Sequence, residues 1–237
     1  VFKPSAGAPT TKSLVQNISL QFFPESGHLV DGILTVVGFK AVDQWGTPVE
    51  VSGIIRTEEG TTIASFKTFH DGIGKVPFKP QAGKKYVADV ETNAGKRTYQ
   101  LPEVAAAGIN LKVQDEKMQN GTKGKKFQLS RSEKDKALFE TVVLVAEINN
   151  HLVYENEIAF EDYPSVIGHL VTDSLPSGIL HFTVFNKDGA PLAERLSFVD
   201  NKEYMSNASV AETKISTEKR VENSIELSFA DAIQRSC

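Results

Sequence analysis

Short runs in which apolar and polar residues alternate make up most of the chain after residue 17, and clusters of Gly, Pro, Asn, Asp or Ser separate them. Alternation with a period of two places successive side chains on opposite faces of a strand, and the clusters predict turns. No apolar pattern with the helical period persists for more than a turn or two. The pattern therefore predicts an all-β protein built from antiparallel sandwiches.

The alternating runs fall into two sets, one in each half of the chain. In the first half they cover residues 18–23, 28–30, 34–42, 49–56, 62–69, 75–78, 86–90 and 97–101. In the second half they cover residues 109–113, 125–130, 139–148, 151–158, 166–170, 179–186 and 192–200. The alternation in run 62–69 does not decide which face of the strand is buried, because Ile63 and Phe69 share one side and Ala64 and Phe66 share the other.

One stretch recurs. Residues 39–49 read FKAVDQWGTPV and residues 182–192 read FTVFNKDGAPL, with Phe, Asp or Asn, Gly, Pro and an aliphatic residue in the same register. Each copy predicts a strand, a polar turn and an edge strand that begins at a proline. The recurrence predicts an array in which Phe39 and Phe182 occupy equivalent core positions.

The array predicts the domain organisation. Residues 1–16, rich in Ala, Gly, Pro, Ser and Thr, predict a linker arm. Two sandwiches are expected at 17–103 and 107–200. Alternation resumes at 209–215 and 224–229, so 201–237 predicts the opening strands of a truncated third domain. Because a lone strand pair leaves an apolar face and edges uncovered, we expect it to pack on the second domain or associate with another chain.

Two turn segments carry specific expectations. Tyr86 follows a Pro and a Gly at the start of a strand, and a tyrosine in such a corner of an immunoglobulin-like sandwich bonds back to upstream backbone. The segment HDGIG at 70–74 carries two glycines, Gly72 and Gly74, which we expect to adopt positive φ.

Composition narrows the class of partner. The chain has 237 residues, 40% of them hydrophobic. Its 26 Lys and Arg residues nearly balance its 30 Asp and Glu residues, which gives a formal net charge of −4. Such a balance predicts neither nucleic acid nor an anionic membrane as a partner. Cys237 is the sole cysteine, so no intrachain disulfide forms. No apolar run approaches the roughly 20 residues that a membrane-spanning helix needs.

Several segments together resemble one known family. They are QFFPESGHLV at 21–30, GFKAVD at 38–43, FHDGIG at 69–74, LPSGI at 175–179 and PLAERL at 191–196. The chain from about residue 17 to 237 thereby resembles the macroglobulin-like sandwich arrays of large cell-envelope proteins in Bacteroidota. The resemblance implies tandem immunoglobulin-like, macroglobulin-like domains exported to the periplasm or outer membrane.

Two features found in such proteins are absent from this sequence. Some of them carry a segment like the plug of a TonB-dependent receptor, and no such segment occurs here. Macroglobulins proper carry a Cys-Gly-Glu-Gln thioester, which the chain also lacks. Covalent trapping of proteases is therefore not expected of this chain.

Candidate chemistry is sparse. The signatures Gly-x-Ser-x-Gly, His-Glu-x-x-His, the phosphate-binding loop and paired Cys-x-x-Cys do not occur. His70 beside Asp71 is the most suggestive pair, although adjacent side chains at a strand end are expected to point apart. The remaining histidines form no spaced ligand set: His28, His151, His169 and His181. We therefore predict no enzyme activity, no cofactor and no metal.

Trp45 is the only tryptophan and lies in the first copy of the repeated turn. An exposed aromatic there contacts a partner or a sugar ring, or it covers a domain junction. Trp45, His70 and Asp71 are the candidate partner or ligand contacts. The expected function is a non-enzymatic structural and protein-interaction module of a bacterial envelope protein, whose partners are other envelope proteins or further domains. The alternatives are a carbohydrate-binding accessory module of an outer-membrane uptake system and a fragment of a macroglobulin-like inhibitor.

Overall fold

The structure is a computed structural model and describes residues 17–92 and 95–231. The expected arm 1–16 and Cys237 lie outside the described residues. The chain divides into two compact units, one of Val1–Asn110 with Ser130–Phe139 and the other of Leu111–Leu129 with Glu140–Cys237. The expected borders at 103, 107 and 200 stay predictions. The fold is all-β, with tandem antiparallel immunoglobulin-like sandwiches.

The described residues of the first unit form nine complete strands. They are β1 Ser19–Pro24, β2 Leu29–Val30, β3 Thr35–Val42, β4 Ser52–Thr57, β5 Thr62–His70, β6 Ile73–Phe78, β7 Tyr86–Thr92, β8 Gly95–Gln100 and β9 Val104–Ala105. Seven of them are paired in the order β1-β3-β6-β5-β4-β7-β8, while β2 and β9 form a short parallel pair. Strand β5 pairs with β4 and also with β6, so it connects the two layers of the sandwich.

Aromatic side chains fill the interior of the first unit. The ring of Phe39 lies 4.9 Å from that of Phe66 and 6.2 Å from that of Phe22, centroid to centroid. Gly74 on β6 leaves room for Phe39, because a Cβ there would lie 2.6 Å from Phe39 Cε1. Burial of Phe66 settles the core face of β5, and Phe69 points outward.

The expected tyrosine corner is confirmed. Tyr86 begins β7 with its side chain buried, and its hydroxyl accepts a hydrogen bond from the backbone N–H of Gln81 at 2.9 Å. This bond fixes the loop that leads from β6 into β7. Of the two glycines expected at positive φ, Gly72 has a φ of 71°. Gly74 does not have a positive φ. Its lack of a side chain instead leaves space for the Phe39 ring.

The second unit contains most of β10 and β11 and the strands that follow them, and it has two packed sheets. Its strands are β10 Ile109–Lys117, β11 Lys123–Arg131, β12 Thr141–Ile148, β13 His151–Ala159, β14 Ser165–Val171, β15 Gly178–Phe185, β16 Pro191–Val199, β17 Ser206–Lys214 and β18 Ser224–Asp231. The sheets are β10-β11-β14 and β13-β12-β15-β16, with β17-β18 as a separate pair. Phe127 and Phe182 are fully buried, with ring centroids 6.5 Å apart.

The expected equivalence of Phe39 and Phe182 is wrong. Phe39 lies on β3, between β1 and β6, whereas Phe182 lies on β15, between β12 and β16. What recurs is the turn. Asp43 Oδ1 accepts from the N–H groups of Trp45 and Thr47, and Asn186 Oδ1 accepts from the residues two and four positions later in the same way. The repeated sequence encodes a local loop, and that loop serves two different connections.

The core equivalence lies elsewhere. Phe127 on β11 faces Gly168 on β14, where an added Cβ would lie 2.6 Å from Phe127 Cε2. Phe39 and Gly74 make the same contact between β3 and β6. Each phenylalanine therefore lies on the middle strand of a three-strand set, β1-β3-β6 in one unit and β10-β11-β14 in the other.

The strands expected at 209–215 and 224–229 are present as β17 and β18. They pair antiparallel, with Ala208 opposite Phe229 and Val210 opposite Leu227. No helix among residues 17–92 and 95–231 is long or apolar enough to cross a bilayer.

Candidate functional site

The three residues expected to contact a partner lie at two neighbouring strand ends of the first unit. Trp45 is exposed in the turn after β3, His70 is the last residue of β5, and Asp71 begins the turn that follows it. The backbone N–H of Ala41 donates to Gly72 O at 2.8 Å, which places the second turn beside the end of β3. The role of all three residues as contacts stays a prediction.

His70 and Asp71 contact each other, contrary to expectation. His70 Nε2 lies 3.0 Å from Asp71 Oδ2, because Asp71 adopts a φ of 43° and this left-handed backbone turns its side chain toward its neighbour. Both side chains are largely exposed, at 77% and 67%, so water screens the pair. No group of three or more residues suited to a metal occurs within the described part of the chain.

Two further histidines pair with carboxylates in the second unit. His169 Nδ1 lies 2.5 Å from Glu116 Oε2, and His181 Nε2 lies 3.8 Å from Glu194 Oε2. These are separate pairs on the surface of different sheets. They do not converge on a common point.

A buried carboxylate on the outer face of the first unit was not anticipated from the sequence. Asp89 on β7 is only 4% exposed, and it is bound by three side chains. Arg56 Nε donates to its Oδ2 at 2.7 Å, Lys96 Nζ lies 2.9 Å from the same oxygen, and Thr98 Oγ1 donates to Oδ1 at 2.7 Å. The hydrogen bond from Arg56 holds the pKa of Asp89 well below its usual range, aided by Thr98 and Lys96 and opposed by burial.

The Asp89 cluster forms part of a larger depression that we call the outer trough. It is an open cavity of about 830 Å³ across the outer face of β6, β5, β4, β7 and β8. Its floor contains Ile54 and the small residues Ser52 and Ser65. Its rim carries longer side chains, namely Phe69, Lys67, Lys75, Glu91 and Lys96.

The strand register explains the shape of the outer trough. Ser65, Ile54, Asp89 and Thr98 are directly opposite one another on β5, β4, β7 and β8, so their side chains share the outer face. The short side chains of Ser65 in this row and Ser52 beside it are bordered by lysines and Phe69, which makes the surface concave. A sequence pattern that reads one strand at a time does not reveal this row, because its members come from four strands.

A second surface lies on the β17-β18 pair. Val210, Ile225, Leu227 and Phe229 are between 54% and 68% exposed, and we call this set the apolar hairpin face. Leu227 and Phe229 alternate with Glu226 and Ser228, so the pair has an apolar side and a polar side. Large contiguous apolar surfaces on a folded protein mark sites of association.

Side-chain hydrogen bonds fix the segment that leads into β17. Asn201 Nδ2 donates to Thr172 O at 2.6 Å and to Leu175 O at 2.7 Å. Ser177 Oγ donates to Glu203 Oε2 at 2.6 Å and accepts from the Asn201 N–H at 2.8 Å. These bonds tie residues 201–203 to the loop between β14 and β15.

No protein-family model matches the chain, and no curated protein matches it in sequence. Among solved structures it is similar to the BSP domain of a biofilm-associated protein, with 18% identity over 75% of this chain and 29% of that chain and a TM-score of 0.30. It is also similar to native E. coli alpha-2-macroglobulin, with 11% identity over 95% of this chain and 17% of that chain and a TM-score of 0.28.

Another similar structure is invasin, a bacterial integrin-binding protein, with 15% identity over 91% of this chain and 46% of that chain and a TM-score of 0.31. The chain spans less than half the length of each of these three structures. Likeness at this level concerns the sandwich class and not an activity or a partner.

Proposed function

We propose that the chain is a non-enzymatic structural and protein-interaction segment of a larger bacterial envelope protein, located in the periplasm or at the outer membrane. Its sandwiches act as spacers, and the apolar hairpin face is its contact surface. The observation that carries this proposal is the exposure of Ile225, Leu227 and Phe229 on a strand pair that lacks a covering layer among the described residues.

In the two complete sandwiches, the apolar face of a strand pair is buried against a second layer. The first unit opens with the pair β1-β3, whose inward residues Leu20 and Phe39 are buried beneath the other layer. In the second unit Leu111 on β10 and Phe127 on β11 are buried as well. Strands β17 and β18 also form an antiparallel pair, but their apolar side chains face solvent. We infer that they are the opening pair of a third sandwich.

Simple energetics favours a covered state. Full burial of a fully exposed Val, Leu, Ile or Phe side chain contributes about 2 kcal/mol. The four residues of the face are about 60% exposed, so covering them is worth about 5 kcal/mol before entropic costs. An isolated two-stranded hairpin is only marginally stable in water. The partner is therefore a β-layer of complementary apolar surface, supplied by further sequence of the same polypeptide or by another envelope protein.

A variant of the full chain tests the contact surface. Leu227→Ser combined with Phe229→Ser removes the apolar hairpin face, and Ser228→Thr on the polar side of β18 is the control. We expect the unaltered chain and the control to bind a hydrophobic fluorescent dye, and the double variant to lose more than about half of the signal. The sandwich melting transition should stay in place.

Equal dye binding by all three proteins would contradict the proposal, because the exposed surface would then lie elsewhere. A melting transition lowered by the double substitution would also contradict it, since that result would show that the hairpin already packs on a sandwich.

A further inference from the structure

We propose that the outer trough of the first unit binds an acidic oligosaccharide whose negative charge is a uronate carboxylate. This function is independent of the apolar hairpin face. It rests on the shape of the outer trough, on its charges and on the kind of polar group that its floor presents.

The size and lining suit a ligand of several sugar units. Binding pockets for small molecules occupy roughly 300–1,000 Å³, and the outer trough holds about 830 Å³. Phe69 presents its ring at the rim with 66% of its surface exposed. The C–H face of a pyranose packs against such a ring, while hydroxyl groups of Ser52 and Ser65 are placed to bond sugar hydroxyls.

The charges favour an anion. Lys67, Lys75 and Lys96 line the outer trough together with Glu91 and Asp89. Asp89 is already compensated by Arg56, so the rim is cationic although the chain as a whole carries −4. Neither Lys67 nor Lys75 has an ion-pair partner among residues 17–92 and 95–231, which leaves both ammonium groups available to a carboxylate.

The Asp89 cluster prearranges one wall. Lys96 would otherwise be a mobile surface side chain, and its bond to Asp89 holds its ammonium group at the edge of the outer trough. Gly53 contributes by permitting close approach of β4 to β7, since a Cβ there would lie 3.1 Å from the Asp89 carbonyl carbon and 3.0 Å from Phe66 Cζ. A site with fixed side chains loses less entropy on binding.

The backbone argues for a sugar over a peptide. An extended peptide is recognised through free N–H and C=O groups at a sheet edge. Strands β5, β4 and β7 are each paired on both sides, so the floor of the outer trough offers side chains instead of backbone groups. Hydroxyls, ammonium groups and an aromatic ring match a uronate oligosaccharide.

Calorimetric titration of the full chain with tetragalacturonate tests the proposal. We expect saturable binding with a Kd on the order of 0.1–1 mM, weakened severalfold when NaCl rises from about 0.05 M to about 0.3 M. Lys67→Ala with Lys75→Ala, and separately Phe69→Ala, should each weaken binding about tenfold or more. Lys40→Ala, an exposed lysine on β3 outside the lining, is the matched control and should change nothing.

Ser65→Phe keeps every charge and fills the floor, so loss of binding in this variant supports a site in the outer trough. Cellotetraose, which is neutral, and tetraglutamate, an acidic peptide, should both bind at least about tenfold more weakly than tetragalacturonate. No binding of tetragalacturonate, equal binding of tetraglutamate, or equal loss in Lys40→Ala and the double lysine variant would overturn the proposal. Leu227→Ser with Phe229→Ser should leave sugar binding intact, which separates this site from the hairpin.

Discussion

The two sandwich units share an interior contact and differ in the polar groups that they bury. Phe39 packs over Gly74 in the first unit, and Phe127 packs over Gly168 in the second. The first unit, however, buries Asp89 in a cluster with Arg56, Lys96 and Thr98, whereas the second buries Lys125, which bonds Asp115 and the carbonyl oxygen of Phe198. The Phe-over-Gly contact therefore occurs in both units, whereas the outer trough lies on the first unit.

Substitution of the paired glycines should give the largest effects. Gly74→Val and Gly168→Val each force a side chain into a phenylalanine ring, and we expect a loss of about 3 kcal/mol or more in the free energy of unfolding. Gly38→Ala is the control, because its Cβ would meet only Phe23 O, at 3.6 Å. Chemical denaturation measures all three.

The glycine experiment also sharpens the comparison between the units. If the Phe-over-Gly contact is the common feature, Phe39→Leu should recover part of the loss in Gly74→Ala, and Phe127→Leu should do the same for Gly168→Ala. Severe destabilisation in one unit with none in the other would refute the equivalence.

Removal of the Asp89 charge should have a smaller, pH-dependent effect. Asp89→Asn breaks the cluster with Arg56, Lys96 and Thr98, and we expect a loss of about 2 kcal/mol at neutral pH. The pKa of Asp89 is depressed in the folded state, so its stabilisation is complete above the unfolded-state pKa of about 4 and is lost as pH falls below it.

Denaturation at several pH values checks this dependence. The difference between Asp89→Asn and the unaltered chain should be largest near pH 7 and should shrink in acid, while Glu91→Gln on the same strand should stay within about 0.5 kcal/mol at neutral pH. A difference that does not change between pH 7 and pH 3 would show that the charge of Asp89 does not account for the effect.

The sequence predicts the strands and several turns, because these depend on local patterns. Alternation locates β17 and β18, and the corner at Tyr86 follows from the residues just before it. The prediction that Phe39 and Phe182 are equivalent was wrong because it relied on the repeated turn. A loop formed around one Asp or Asn side chain can connect any two strands. Gly168 lies far along the chain from Phe127, so no local sequence pattern predicts that the two residues make contact.

The sequence does not predict the outer trough either, because its residues come from different strands. Ser52, Ser65 and Lys67 each look like ordinary outward residues of a solvated strand. Only the register of β5, β4 and β7 places them around one depression. The alternation of β5 does not predict whether Phe69 or Phe66 faces outward. In the structure Phe66 is buried, so Phe69 faces outward.

Hydrogen exchange of the amides in residues 206–229 tests the central claim most directly, namely the proposal that β17 and β18 form a contact surface that a second β-layer covers. In the present chain, shown to be monomeric by light scattering, we predict protection close to that of an isolated hairpin and far below that of β12 and β15. In a sample that light scattering shows to be associated through the apolar hairpin face, protection should rise to the level of those core strands. Strong protection in the monomeric chain, or no rise in the associated form, would contradict the account.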